Sequence, residues 1–160
     1  MIKKAKNYFS ISIFCVFLNS LMIAFVPFVS YGDSTFKNII SYLISAGLWM
    51  FFILSWIFLA KTQKERIKAQ RKLGYGKIRR SRLKVGMLNF NASFEGLISD
   101  VIVILSAIAL IITSILWIDN QYVTSINVAI LVFSIQMRCI LNGRIYIDLK
   151  LLESRRLKNE

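Results

Sequence analysis

Apolar residues fill four stretches of this chain, each about twenty residues long and almost free of charged residues. The stretches cover residues 8–29, 39–60, 97–117 and 123–141. A helix of this length rises about 30 Å, which matches the hydrocarbon core of a bilayer. Because lipid cannot satisfy free backbone groups, each stretch is expected to be a helix. The pattern predicts an all-α polytopic membrane protein in which residues 1–160 form one four-helix transmembrane domain.

The polar segments between these stretches predict how the helices are connected. Residues 30–38 and 118–122 are short connectors, whereas residues 61–96 form a long basic loop. Short connectors favour antiparallel neighbours, so we expect two antiparallel helical hairpins joined by the loop. The second helix is expected to continue through residues 61–72, because strong helix formers fill this segment before Gly74.

The distribution of basic residues predicts the orientation of the chain. Of the 21 lysines and arginines, three precede the first stretch, eleven lie in residues 61–88 and six follow from Arg138 onward. The connector 118–122 contains none. Since cytoplasmic loops are enriched in basic residues, both termini and the long loop are expected in the cytoplasm. The composition is compatible with a bacterial inner membrane.

The net charge of +13 raises the question of a charged partner. A basic run can bind nucleic acid, but beside membrane spans the expected partner is anionic lipid. Past Gly76, apolar residues interleave with basic ones, as in a segment that lies in the headgroup layer. The basic residues of this lipid-facing loop are Arg79, Arg80, Arg82 and Lys84. No nucleic-acid partner is predicted.

Small or polar pairs recur every seven residues in the third stretch, at positions 92–93, 99–100, 106–107 and 113–114. Such a repeat keeps one face of a helix toward a neighbour in a left-handed bundle. Because small residues allow close approach in lipid, we interpret this face as a packing seam, with a polar pore lining as the alternative. Ser41, Ser45 and Ser55 of the second helix are expected to oppose it.

Polar residues near the cytoplasmic ends of the third and fourth stretches form a candidate site. If these helices are antiparallel, residues at equal depth have numbers that sum to about 239. This rule places Arg138 beside Asp100, Arg144 beside Glu95 and Asn127 beside Thr113. Two ion pairs are predicted, which either fix the register of a hairpin or line a pocket for a partner. The candidate site comprises Glu95, Asp100, Gln136, Arg138, Asn142 and Arg144.

The sequence offers little for catalysis. It contains no histidine, and its two cysteines, Cys15 and Cys139, are far apart. Without the commonest general base and the commonest metal ligand, we expect no enzyme activity, metal or cofactor. Three classes of function remain: a protein that binds a membrane partner, an oligomeric channel or small transporter, and a lipid sensor. A small, loop-poor helical bundle without catalytic residues fits a partner that is a pore-forming toxin, a transporter or a secretion complex. Some small bacterial immunity proteins against pore-forming toxins share a four-span layout. Homo-oligomerisation stays open.

Overall fold

A computed structural model of the protein describes residues 2–30, 35–72, 93–116 and 120–159, except for the side chains of residues 30, 35, 36, 144 and 155–159. The lipid-facing segment with Arg79, Arg80, Arg82 and Lys84 lies outside these ranges. Within them no strand occurs, which agrees with the predicted all-α class. The helices are α1 (Ile2–Ser30), α2 (Thr35–Lys72), α3 (Phe94–Leu116), α4 (Gln121–Leu141) and α5 (Arg144–Asn159).

Helices α1 to α4 are long and apolar enough to cross a membrane. The shortest, α4, has 21 residues and therefore rises about 32 Å. The protein is a multi-pass membrane protein. The four apolar stretches lie within these helices, apart from residue 117, and α2 continues through residue 72 as predicted.

The four long helices do not pack in chain order. α1 packs on both α2 and α4, and α3 packs on α4. The order across the described part of the fold is therefore α2, α1, α4, α3. This order separates α2 from α3, although the two are consecutive in the chain.

The contacts between these helices fix their relative directions. Along the α1–α2 interface, Ser12 contacts Ser55, whereas Met22, further along α1, lies beside the earlier residue Gly47. The α1–α4 interface shows the same order of contacts. Ser125 donates to the carbonyl oxygen of Ile23 at 2.6 Å, and the ring of Phe17, earlier in α1, meets that of the later residue Phe133. In both interfaces, residue numbers therefore increase along one helix in the direction in which they decrease along its neighbour.

Small polar side chains, rather than large apolar ones, fill much of the helix interfaces. Ser12 and Ser134 are 0% and 2% exposed, whereas Tyr42 and Trp49 are 77% and 69% exposed. In water this distribution would be unfavourable, but lipid tails solvate large apolar side chains well. Close approach of the backbones gains dispersion energy, and small side chains permit it.

Helix α5 forms a short amphipathic helix that the sequence analysis did not anticipate. It follows α4 after a break at Asn142 and Gly143, where a Cβ on Gly143 would lie 2.9 Å from the carbonyl oxygen of Cys139. Ile145, Leu149 and Leu152, at intervals of four and three residues, are buried. Ile145 and Leu149 belong to one apolar cluster with Ala5 and Phe9 of α1, and the ring of Phe9 stacks on that of Tyr146 at 5.5 Å.

Three ion pairs tie α5 to other helices: Lys6–Glu153 to α1, Arg66–Asp148 to α2 and Glu95–Lys150 to α3. The α2 pair is the most buried of them, since the Arg66 side chain is 1% exposed and that of Asp148 is 20% exposed. Removal of one partner from a buried pair leaves a charge without compensation, which is costly. The Lys6–Glu153 pair is largely exposed, and pairs of that kind contribute little.

We therefore predict that Asp148→Leu lowers the free energy of unfolding by about 2–3 kcal/mol, because it leaves the Arg66 guanidinium buried without its carboxylate. The matched substitution Glu153→Gln should cost less than about 1 kcal/mol, because water and salt already screen that pair. Unfolding of the purified protein in mixed detergent micelles, followed by circular dichroism, measures both. Equal losses in the two variants would contradict a buried α2–α5 link.

Candidate functional site

The strongest polar cluster lies where the start of α3 meets the end of α4. Arg138 and Asn142 are four residues apart and therefore share one face of α4. Asp100, in the second turn of α3, faces both of them. All three side chains lie near the same end of the bundle as α5.

Asp100 is the acceptor at the centre of this cluster. Its Oδ1 atom accepts hydrogen bonds from Nε of Arg138 and, at 3.2 Å, from Nδ2 of Asn142. The Asp100 and Arg138 side chains are 10% and 14% exposed. A charge in a membrane protein is stable there only with a partner, and the guanidinium supplies one. The ion pair expected between Asp100 and Arg138 is present.

Gly96 allows α3 and α4 to approach closely at this cluster. A Cβ at position 96 would lie 1.9 Å from Oδ1 of Asn142, so no other residue fits without displacing that amide. Asn142 is fully buried, and its Oδ1 atom has no hydrogen-bond partner among the described residues. The amide thus packs against the glycine while its nitrogen serves Asp100.

Ser93 links the same two helix ends. Its hydroxyl accepts from the backbone N–H of Gly96 at 2.9 Å, as an N-cap does, and donates to the carbonyl oxygen of Leu141 at 3.3 Å. One side chain therefore satisfies a free donor at the start of α3 and an acceptor at the end of α4.

The small-residue seam of α3 packs against α4. Ser99 and Ser106 are buried there, but their hydroxyls donate to carbonyl oxygens of their own helix, so small size is their contribution to the interface. The bond across the interface comes from Asn127, which donates to Oγ1 of Thr113 at 2.8 Å. This contact lies at the depth that the register rule predicts.

The prediction that small residues of α2 oppose the seam of α3 is wrong. Ser41 and Ser45 are exposed, and Ser55 faces α1, where its carbonyl oxygen accepts from Ser12 at 2.8 Å. The seven-residue repeat identifies which face of α3 is packed. It does not identify the neighbouring helix, because several helices carry small residues. The packing order places α1 and α4 between α2 and α3.

Gln136 does not join the cluster around Asp100. It lies two residues from Arg138 and therefore points to another side of α4. There it lines a cavity of about 200 Å³ together with Ser12 of α1 and Trp56 of α2. Its Oε1 atom is buried without a hydrogen-bond partner among the described residues.

The second predicted pair, Glu95–Arg144, stays a prediction, and Glu95 has a contact with α5 that the sequence did not predict. The Glu95 carboxylate accepts from Lys150 of α5 at 2.6 Å, while the side chain of Arg144 lies outside the described part of the structure. The hydrogen bond to Glu95 raises the pKa of Lys150. Because this hydrogen bond stabilises the protonated form, its contribution to stability is complete at neutral pH and is lost only as the pH rises through the raised pKa of Lys150.

Sequence reasoning missed Ser93, Gly96 and Lys150 at this site. Ser93 carried a usable signal, because a serine directly before the first residue of an apolar helix is a preferred N-cap. Gly96 carried none, because its role depends on the approach of Asn142 from α4. Lys150 carried none, because its position depends on how α5 folds back. Among the described residues, no three side chains of the metal-ligating types lie together.

Comparisons with protein-family models, curated proteins and solved structures found no match for this chain.

We predict that Asp100→Arg strongly lowers the folded yield, because it places two cations side by side within the helix interface. The exchange Asp100→Arg/Arg138→Asp should restore part of that yield. Recovery is partial because the Asn142 amide nitrogen would then face a cation rather than a carboxylate. Size-exclusion chromatography of the solubilised membranes measures the monodisperse fraction. A double variant no better than the single one would show that the pair does not stabilise the fold.

We also predict that Gly96→Ala destabilises the protein by about 1–3 kcal/mol, because the new methyl group displaces the Asn142 amide in a packed interface. Gly47→Ala provides the matched control, since a Cβ there would lie 3.7 Å from the flexible end of Met22. That control should be neutral or stabilising by about 0.5 kcal/mol, as alanine favours helices. Thermal unfolding of both variants in the same detergent distinguishes them, and a neutral Gly96→Ala would contradict the close approach.

Proposed function

We propose that the protein is a non-enzymatic bacterial inner-membrane protein that acts by binding another membrane protein through helix faces within the bilayer. Its most concrete form is an immunity protein that protects the cell against a pore-forming toxin. One exposed aromatic stripe on α2 supports the binding proposal. The immunity form rests on one further observation, the four-helix layout.

We further propose that the membrane helices form two antiparallel hairpins with both termini in the cytoplasm. The order of contacts between α1 and α2, and between α3 and α4, supports the hairpins. The excess of lysine and arginine in residues 1–7, in residues 61–88 and from Arg138 onward supports the orientation.

The aromatic stripe consists of Tyr42, Trp49 and Trp56, which are spaced by seven residues along α2. Phe52 connects the two tryptophans, with ring centroids 6.5 Å from Trp49 and 6.3 Å from Trp56. Each of the four rings is at least one-third exposed. A seven-residue spacing keeps such a stripe in contact with one neighbouring helix. Large aromatic side chains of this kind dominate many binding interfaces.

Trp49 is the observation that favours a protein partner over lipid. It lies at the middle of the apolar stretch 39–60, whereas tryptophans that face lipid concentrate at the two membrane–water interfaces. No described group accepts a hydrogen bond from its indole N–H. Hydrocarbon tails offer no acceptor either, but a partner helix with a hydroxyl or amide would. The stripe is therefore best explained as a surface for another transmembrane helix.

We predict that a photo-crosslinking residue at position 49 forms a discrete protein adduct in bacterial cells, because a partner helix covers the stripe. The same residue at position 14 provides the control, since Phe14 is an exposed aromatic of α1 outside the stripe. Immunoblotting of the irradiated membranes identifies the adducts. Equal adducts at both positions, or none at position 49, would contradict a partner at the stripe.

A toxin assay tests the immunity form of the same proposal. Cells that make the protein should survive a pore-forming toxin, and Trp49→Leu should lower the tolerated dose by roughly tenfold or more, as for other central tryptophans in interfaces. The competing channel interpretation predicts ion flux across liposomes that contain only the purified protein. Flux altered by Asp100→Asn/Arg138→Gln would replace the binding proposal with a channel.

A further inference from the structure

Each acidic side chain that the structure describes already has a basic partner within the chain. The five pairs are Glu65–Lys68, Glu95–Lys150, Asp100–Arg138, Asp148–Arg66 and Glu153–Lys6. These pairs use all of the described carboxylates. Glu65, the partner of Lys68, also interacts electrostatically with Lys4, but it is one carboxylate beside several lysines. Near the start of α1 several such lysines are exposed.

Lys3 and Lys4 of α1 and Lys61 and Lys64 of α2 are exposed near the same end of the two helices, and we term them the α1–α2 lysine cluster. The directions of α1 and α2 bring them to the same depth. The ring of Tyr8 stacks on that of Phe58, with ring centroids 6.2 Å apart. The lysines precede Tyr8 in α1 and follow Phe58 in α2. Lys4 lies one helical turn before Tyr8, and Lys61 and Lys64 lie in the two turns after Phe58.

Two aromatic rings position one of these ammonium groups. Nζ of Lys61 lies 5.1 Å from the ring centroid of Phe58 and 5.9 Å from that of Tyr8. These distances are within the range of a cation–π contact. The apolar stretches begin at residue 8 in α1 and end at residue 60 in α2, so the rings hold the ammonium at the border between hydrocarbon and headgroups.

We propose that the α1–α2 lysine cluster is a binding site for the headgroup phosphate of an anionic phospholipid. A lysine ammonium is a compact charge that suits phosphate oxygens. At the hydrocarbon border the abundant anion is the phospholipid phosphate, and each nearby basic residue contributes about 1 kcal/mol to its attraction. A zwitterionic lipid has the same phosphate, but its attached ammonium is repelled by the four lysines. The four lysines are different residues from Arg79, Arg80, Arg82 and Lys84, the lipid-facing residues expected from the sequence.

The test measures lipid binding to the full-length protein by native mass spectrometry. Phosphatidylglycerol is titrated into detergent-solubilised protein, with phosphatidylcholine as the zwitterionic comparison. We expect tighter binding of phosphatidylglycerol, and Lys4→Gln/Lys61→Gln should weaken it by roughly tenfold. The control Arg71→Gln/Lys72→Gln removes the same charge from exposed positions at the end of α2 and should weaken it by less than about twofold.

Two further variants keep the result interpretable. Lys4→Arg/Lys61→Arg retains both charges and should bind phosphatidylglycerol as the unchanged protein does, which separates charge from folding. Tyr8→Leu removes a ring under Lys61 and should cause an intermediate loss. Equal weakening by the two glutamine pairs would overturn the proposal, because it would mean that net charge alone attracts the lipid. Equal affinity for the two lipids would overturn it as well.

Discussion

The lipid environment is the constraint on which this structure depends. Hydrocarbon tails solvate leucine and phenylalanine as well as a protein core does, so apolar burial does not hold the helices together. Close backbone contact and internally satisfied polar groups take its place. The fully buried Ser12, the glycine at position 96 and the Asn127–Thr113 hydrogen bond are examples. Large apolar side chains therefore lie on the outside and small polar ones between the helices.

The same constraint explains why the described ion pairs lie at one end of the bundle. Asp100 and Arg138 lie a few residues inside the helix ends, where each reaches the other. Toward the border with water, pairs become more exposed and worth less, as Glu95–Lys150 is. Helix α5 uses both kinds of contact. Its apolar face packs on α1, and its ion pairs join α2 and α3, which have α1 and α4 between them.

The two proposed surfaces on α2 follow from what the fold leaves unsatisfied. Within the membrane, the indole of Trp49 has no described acceptor. At the border, the four lysines of the α1–α2 lysine cluster outnumber Glu65, the described carboxylate that interacts with Lys4. In the two proposals, a partner helix supplies the acceptor for the indole and a lipid phosphate supplies the anion for the lysines. Both proposals therefore rest on one physical rule: polar groups in or near hydrocarbon need partners.

The sequence by itself determined the membrane-spanning helices, the packed face of α3 and the register of α3 against α4, because all three follow from helix geometry along one or two elements. It placed Asp100 beside Arg138 through a depth rule that needs only the rise per residue. It did not determine which helix opposes α3, the direction of Gln136 or the partner of Glu95. Those depend on contacts between elements distant in the chain, above all the packing of α1 between α2 and α4 and the return of α5 that brings Lys150 to Glu95.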